Sequence, residues 1–258
     1  MIPKLLYIMF FIQFTLSVEI KQCITVNYES ELFKGMNIIH SYPHNPHSFT
    51  QGLAILNNTL FESTGLYGKS SIRIVNKITG KTIRKTKLPN SFFGEGIAII
   101  NNELFQLTWK NRWVKVYNIS NLKEVRNYRL PFQIKEGWGM TRINQSLGIS
   151  DGSDQIYIVN PETFTIQHLI KVKRGNKPLY RINDIENING YIFANIWYED
   201  VICVIDLITG NVISEFWCNI NKNPGEDVFN GLVYDPNKKT LLMTGKLWNK
   251  LYEVVLIK

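Results

Sequence analysis

Short apolar runs with a period of two, separated every few residues by Gly, Asn or Asp, fill the chain from about residue 36 to its end. They fall into a recurring unit. In the first unit Gln51–Leu56 reads as a strand, Asn57 and Asn58 as a turn, and Thr59–Ser63 as a second strand. A loop over Gly65–Ser70 leads to a third strand, Ser71–Val75, and the turn Lys77–Gly80 to a fourth, Lys81–Leu88. The second unit has its turn at Asn101 and Asn102, then strands over Glu103–Thr108, Val114–Asn118 and Glu124–Leu130. The third has its turn at Asn144–Ser146 and strands over Ile156–Val159 and Thr165–Val172; Ser146–Ser150, poor in β-branched residues, is its weakest stretch. The fourth shows the turn Asn187–Gly190, strands Tyr191–Ile196 and Val201–Asp206, the turn Ile208–Gly210 and strand Asn211–Trp217. The fifth is short, with strands over Gly231–Tyr234, Thr240–Thr244 and Leu251–Ile257.

Each unit opens on a related segment. The five are Phe49-Thr50-Gln51-Gly52-Leu53, Phe93-Gly94-Glu95-Gly96-Ile97, Gly137-Trp138-Gly139-Met140, Ile182-Asn183-Asp184-Ile185 and Phe229-Asn230-Gly231-Leu232. Their spacing of roughly 43 to 47 residues is that of propeller blades. The prediction is all-β: a five-bladed β-propeller, with residues 36–258 as its domain. A three-stranded last blade would leave an unpaired edge. Met36–Tyr42 precedes the first unit as Thr82–Leu88 precedes the second, so this N-terminal strand is expected to complete the C-terminal blade and close the ring.

Composition adds compartment and partners. Residues 1–18, one Lys followed by a short apolar run, resemble a signal peptide, with an uncleaved anchor as the alternative; residues 19–35 form an N-terminal extension. The expected location is the secretory pathway or outside the cell. The net charge of +8 comes from scattered Lys and Arg. The densest run, Lys171 to Arg174 with Lys177, reads as solvated loop, and no nucleic-acid motif accompanies it. Of three cysteines, Cys203 lies in an apolar strand, and Cys23 with Cys218 is a candidate bridge. Asn57, Asn118 and Asn144 sit in Asn-x-Ser/Thr sequons.

A propeller brings equivalent positions around one axis, so Gln51, Glu95, Trp138, Asn183 and Asn230 are expected to form a ring. The second-strand ends of the units align as well, which puts Trp109, Trp197 and Lys246 at the same mouth. Three indoles beside a carboxylate and an amine describe a pocket with apolar walls and a few directed polar groups, although propeller tryptophans also pack between blades. Glu95, flanked by Gly94 and Gly96 among indoles, is expected to have a raised pKa suited to proton transfer; a channel carboxylate that ties the blades together is the structural alternative. Asp151 reads as a turn residue, and His44 with His47 as loop residues in place of metal ligands. No cysteine spacing suggests zinc, and no nucleophile elbow, Walker loop or dinucleotide fingerprint is present.

Tyr42-Pro43-His44, Glu62-Ser63-Thr64-Gly65, Phe93-Gly94-Glu95-Gly96, Leu107-Thr108-Trp109, Glu136-Gly137-Trp138-Gly139, Ser150-Asp151-Gly152-Ser153, Asn195-Ile196-Trp197 and Thr244-Gly245-Lys246-Leu247-Trp248, in this order and at blade spacing, resemble the plant-type glutaminyl cyclase family. The resemblance runs from about Asn37 to Lys258. One departure is Asn183-Asp184-Ile185-Glu186, where the family usually reads Asn-Glu-Leu-Glu. The resemblance implies cyclisation of an N-terminal glutamine of a peptide or protein to pyroglutamate with loss of ammonia. It implies Glu95 as proton shuttle, Lys246 and Asn183 at the carboxamide oxygen, Gln51 at the substrate's polar end, and walls from Phe49, Phe93, Trp109, Trp138 and Trp197. No catalytic metal is expected, because the mouth lacks a His, Asp and Glu ligand cluster, while a structural cation in the central channel stays open; a monomer is expected. A non-catalytic propeller that binds peptide N-termini or a protein partner is the alternative; a lactone-type hydrolase would want a ring of several metal-binding carboxylates, and the ring read from the sequence has only Glu95.

Overall fold

The computed structural model describes residues 21–28, 32–219 and 222–257, so the leader-like segment 1–18 lies outside the described residues. Two strands precede the repeats, β1 (Lys21–Asn27) and β2 (Gly35–Pro43). The first blade is β3 (Thr50–Leu56), β4 (Thr59–Thr64), β5 (Ser71–Val75) and β6 (Thr82–Lys87). The second is β7 (Gly94–Ile100), β8 (Glu103–Thr108), β9 (Trp113–Asn118) and β10 (Glu124–Arg129). The third is β11 (Met140–Ile143), β12 (Ser146–Ser150), β13 (Gln155–Val159) and β14 (Ile166–Lys171). A two-stranded hairpin, β15 (Lys173–Arg174) and β16 (Lys177–Pro178), leads into the fourth blade, β17 (Ile182–Ile188), β18 (Tyr191–Ile196), β19 (Val201–Asp206) and β20 (Val212–Asn219). The fifth is β21 (Phe229–Asp235), β22 (Thr240–Gly245) and β23 (Lys250–Ile257). No helix occurs among the described residues, and so none there is long and apolar enough to cross a membrane.

The closure follows expectation. β2 pairs antiparallel with β23, from Gly35 opposite Ile257 to Pro43 opposite Lys250, and supplies the fourth strand of the fifth blade. The first and last strands of the propeller thus share one sheet, and a ladder of hydrogen bonds holds the ring shut. The extension contributes more than its sequence indicates. β1 adds a fifth strand to the outer edge of the fourth blade by pairing with β20, and the Cys23–Cys218 disulfide fastens it there. Cys203 is the free, buried cysteine.

Inner strands are apolar on both faces because each blade is sandwiched between two others, so alternate residues enter different cores. Leu53 and Leu60 pack with Val233, Leu242 and Leu251 of the fifth blade, while Ala54 and Phe61 pack with Ile97, Leu104 and Tyr117 of the second. The largest such cluster, between the fourth and fifth blades, also receives Phe33 and Met36 from the N-terminal segment. The outer strands β6 and β10 are almost wholly exposed, which is why they read as polar in the sequence.

The basic run departs from expectation in one residue. Val172 is buried, and Arg174, on the small hairpin, forms ion pairs with Glu199 at 3.1 Å and with the buried Glu215 at 2.7 Å, so it pins the hairpin onto the fourth blade instead of facing solvent. The spacing could not show this, because both carboxylates come from later in the chain, Glu199 from the turn after β18 and Glu215 from β20.

Deleting residues 36–42 removes both the β23 partner and Met36 from the largest core. The expected result is loss of cooperative thermal unfolding, read by circular dichroism; a sharp transition close to that of the intact chain would show that the ring closes without β2.

Candidate active site

The inner strands β3, β7 and β17 carry their first residues to one mouth of the channel, and there Gln51, Glu95 and Asn183, with Trp138 just ahead of β11, face a small cavity. Its volume is about 180 Å³, and Phe49, Phe93, Trp109, Trp197 and Lys246 complete its lining. All nine residues proposed for the site from the sequence therefore come together. Asn230 does not. It is buried behind the wall, where its Nδ2 donates to Thr50 O at 3.0 Å and to Gln51 Oε1 at 2.8 Å. The amide nitrogen of Gln51 is thereby left for the pocket. A larger cavity, about 630 Å³, opens at the opposite mouth, lined by aliphatic strand ends and Asn turns. Arg142, Glu186 and Tyr234 also line it, but no tryptophan or phenylalanine does.

Close backbone packing explains the glycines around Glu95. A Cβ on Gly96 would stand 2.6 Å from both Met140 N and Trp138 O, and one on Gly94 would stand 2.7 Å from Gln106 Nε2. Gly96 N donates to Trp138 O at 2.7 Å, which stitches the second blade to the third beside the catalytic candidate. Beneath this, Tyr117 donates to Gln106, Gln106 to Ser63, and Ser63 to the carbonyl of Glu95, so the backbone that carries the carboxylate is held from three strands.

The walls are rings meeting edge to face. Phe93 contacts Phe49 at 6.1 Å and Trp109 at 5.5 Å between centroids, and Trp138 contacts Trp197 at 5.3 Å and 86°. Trp138 lies over Gly152, where a Cβ would approach the indole to 2.7 Å; Phe93 lies over Gly65 in the same way. Glycine at the end of the second strand of the first and third blades thus makes room for the ring of a neighbouring segment.

Inside this enclosure Glu95 is only 5% exposed, and burial pushes its pKa well above the usual carboxylate range. The negative charges of Glu136 and Asp184 push it further, against the opposing pull of Lys246. Lys246 is no surface lysine: at 6% exposure, with Nζ 5.0 Å from the Phe49 ring centre, burial lowers its pKa while Glu95, Asp227 and Asp184 support the charge. A buried carboxyl group and a buried amine thus line one aromatic enclosure, where their fields act strongly on any bound polar group.

Three acids that sequence reasoning did not place as site residues belong to this arrangement. Glu136 Oε2 accepts hydrogen bonds from Trp109 Nε1 at 2.5 Å and Trp138 Nε1 at 2.9 Å, so a single carboxylate oxygen fixes the orientation of two walls. The signal was present in Glu136-Gly137-Trp138, two residues apart on an extended segment, but the second indole comes from another blade. Asp184 and Glu186 follow Asn183 down the channel. Asp184 Oδ2 accepts from Leu232 N at 2.8 Å, and Glu186 bridges Tyr234 N to Thr141 Oγ1, each at 2.9 Å. Burial raises the pKa of both, that of Glu186 to about 7. Glu95 is therefore not the one carboxylate near the axis, as the sequence implied. These two are occupied in joining blades, and among the described residues no three His, Cys, Asp or Glu side chains are placed to hold one metal ion.

The Lys246 loop has its own anchor. His44, expected as a loop residue, is buried between blades, with Nδ1 2.7 Å from Trp248 O and Nε2 2.9 Å from Glu62 Oε1. His47 remains exposed, and Asp151 caps its own turn by accepting from Ser153 N, both as the sequence indicates. Leu247 N donates to Ser48 O at 2.7 Å, and Trp248 stacks on Phe229.

A small, aromatic-walled pocket and a buried acid–amine pair at its mouth define this five-bladed propeller as one with a site for a small polar group inside an apolar enclosure. Glutamine cyclotransferase is the family whose sequence pattern matches residues 10–256. The chain is 36% identical over 231 residues, 86% of its length and 71% of the relative's, to a glutaminyl-peptide cyclotransferase of Arabidopsis thaliana. Its fold superposes on the crystal structure of Myxococcus xanthus glutaminyl cyclase with a TM-score of 0.78 and 31% identity, covering 86% of this chain and 97% of the other. The chain belongs to the glutamine cyclotransferase family.

Two expectations follow from this geometry. In Glu136→Gln the amide oxygen still accepts from the indoles but the charge is gone, so the acidic limb of the kcat/KM pH profile should move to lower pH; Glu136→Ala should instead loosen the walls and lower kcat/KM roughly tenfold or more. Identical profiles for wild type and Glu136→Gln would remove the electrostatic role. The second concerns His44. Burial disfavours its charged form, but Glu62 and the Trp248 carbonyl outweigh this and hold its pKa above 6.5; burial would raise Glu62, yet His44, Arg73 and Thr50 hold it below 4.5. The stability from His44 is complete below pH 6.5 and is lost as pH rises through its folded pKa; that from Glu62 is present above 4.5 and is lost as pH falls through its depressed value. His44→Gln should cost about 3–5 kcal/mol and abolish the alkaline part of the decline in Tm with pH.

Proposed function

We infer that this chain is a glutaminyl-peptide cyclotransferase, which converts the N-terminal glutamine of a peptide or protein to pyroglutamate with release of ammonia. The observation that carries the reading is the buried Glu95 facing Lys246 across a 180 Å³ aromatic pocket, in a member of this family. The reaction is internal to the substrate. The α-amine nitrogen attacks the side-chain carboxamide carbon, a C–N bond forms and closes the five-membered ring, and the bond to the original amide nitrogen breaks. No water is consumed, so a closed pocket favours cyclisation over hydrolysis and holds the flexible side chain in its folded-back, near-attack form.

Glu95 accepts a proton from the attacking amine and delivers one to the departing nitrogen, which leaves as ammonia; the enzyme ends in its starting protonation state. A carboxylate with a raised pKa suits this, because it must both take and return the proton. Lys246 and Asn183 stabilise the negative charge that develops on the carboxamide oxygen, and Gln51, held by Asn230, donates to the substrate backbone. Phe49, Phe93, Trp109, Trp138 and Trp197 confine the side chain. The proposed cycle uses these side chains alone and requires no metal. The leader-like segment 1–18 supports action in the secretory pathway on peptides passing through it, by a monomer.

The test is ammonia release from a short peptide with N-terminal Gln, with and without a strong chelator, alongside Glu95→Gln. Wild-type turnover should resist the chelator, and Glu95→Gln should lose about 10²- to 10⁴-fold in kcat with an unchanged melting curve. Near-wild-type turnover by Glu95→Gln would refute the shuttle. A folded wild-type protein without turnover would favour a propeller that only binds peptide N-termini.

A further inference from the structure

Beside the catalytic pocket, on the other side of Phe49, lies a second cavity of about 250 Å³. Phe49 lines both, and Gly65, which lines the second, lies against the first: a Cβ there would be 2.3 Å from Phe93 and 3.1 Å from Gln51. The walls of this cleft are basic. They carry Lys69 from the loop after β4, Arg73 from β5, Lys85 and Lys87 from β6, and His47 from the loop before β3.

The charges there are not balanced by the fold. Lys85 is directly opposite Arg73 in the β5–β6 ladder, a like-charge cross-strand pair that destabilises a sheet. No described carboxylate forms an ion pair with Lys69, Lys85 or Lys87. Arg73 reaches Glu62 at 3.7 Å, but Glu62 is already bonded to His44, Thr50 and Ser48, so one buried acid serves two cations and none of the lysines. Arg73 itself is fixed, with Nη1 donating to Ser48 Oγ at 2.7 Å and Nε to Ser71 Oγ at 2.8 Å. A cleft with a fixed guanidinium and, among the described residues, lysines without an ion-pair partner is built for an anion.

The geometry points to an acidic-peptide subsite: the cleft receives carboxylate side chains of the substrate at the positions just after its N-terminal glutamine. This rests on the cyclotransferase reading. The catalytic pocket is large enough for one residue, so the rest of the peptide must leave past its rim, and about two or three extended residues at 3.3 Å each span a cleft that begins at the pocket wall. The chain's net charge of +8 draws the same acidic peptides in from solution.

The experiment compares kcat/KM for three Gln-peptides that differ only at the second to fourth residues, carrying Asp and Glu, Asn and Gln, or Lys, together with a minimal Gln dipeptide, on wild type and Lys85→Gln/Lys87→Gln. The wild type should prefer the acidic over the neutral peptide about fivefold at low salt, with the lysine peptide poorest and the preference fading at high salt. The double variant should lose most of that preference while turning over the dipeptide within about twofold of wild type, since neither lysine touches the catalytic pocket. Equal kcat/KM for the three peptides, or an undiminished preference in the double variant, would overturn the subsite. Dipeptide turnover tests the cyclotransferase reading separately. If it is absent, fluorescence anisotropy with labelled acidic and neutral peptides still decides the cleft, equal affinities refuting it and tighter acidic binding that is lost in the variant supporting it.

Discussion

Five strands meeting around one axis leave almost no space between their backbones, and the rest of the molecule is arranged about that shortage. The residue after the ring position is crowded by the neighbouring backbone in the first three blades. Gly52 packs against Gly96, Gly96 against the Trp138–Met140 backbone, and Gly139 against Asn183 and Asp184, all at distances that no Cβ could occupy. In the fourth blade a side chain stands at the equivalent place, and it is Asp184, whose carboxylate spans the gap to the amide of Leu232. The ring is therefore drawn tight by backbone contact on one part of its circumference and by a buried hydrogen-bonded acid on the other. The cavity at the Glu95 mouth is small because five aromatic rings wall it.

Smallness is what gives the site its electrostatics. A carboxylate and an ammonium in an open cleft would be solvated and nearly ordinary. Enclosed by five aromatic rings, Glu95 is pushed toward its protonated form and Lys246 toward its neutral form by the same loss of water, while each favours the charged state of the other. Glu136 adds to this from behind the wall. By accepting from two indoles it sets the shape of the pocket, and by its charge it raises the proton affinity of Glu95. Shape and proton affinity thus share one residue that does not line the cavity.

The ring also explains why ends of the chain far apart in sequence decide the site. Lys246 stands near the C-terminus, and its loop is held by His44, Ser48 and Glu62 from the start of the propeller. β2 closes the fifth blade on which that loop sits, and β1, with its disulfide, thickens the fourth blade beside it. Closure of the propeller and placement of the lysine are the same structural event.

Local pattern alone determined most of the blade strands, the number of blades and seven of the nine lining residues, Phe49 and Phe93 coming from the family resemblance, because a propeller repeats one local unit and maps equal places in that unit onto one mouth. The period of two, the Asn and Gly turns and the blade-length spacing are all legible without tertiary information, and so is the strand that closes the ring. Contacts between units were not legible. Asn230 occupies a ring position in the repeat yet turns away to hold Gln51; Glu136 finds its second indole in another blade; Asp184 and Glu186 join inner strands; Arg174 finds Glu199 and Glu215; and His44 is a buried partner of Glu62. β1 likewise has a partner only after the fourth blade exists. Each of these depends on which side chain a neighbouring blade presents a few ångströms away, and only the assembled ring decides that.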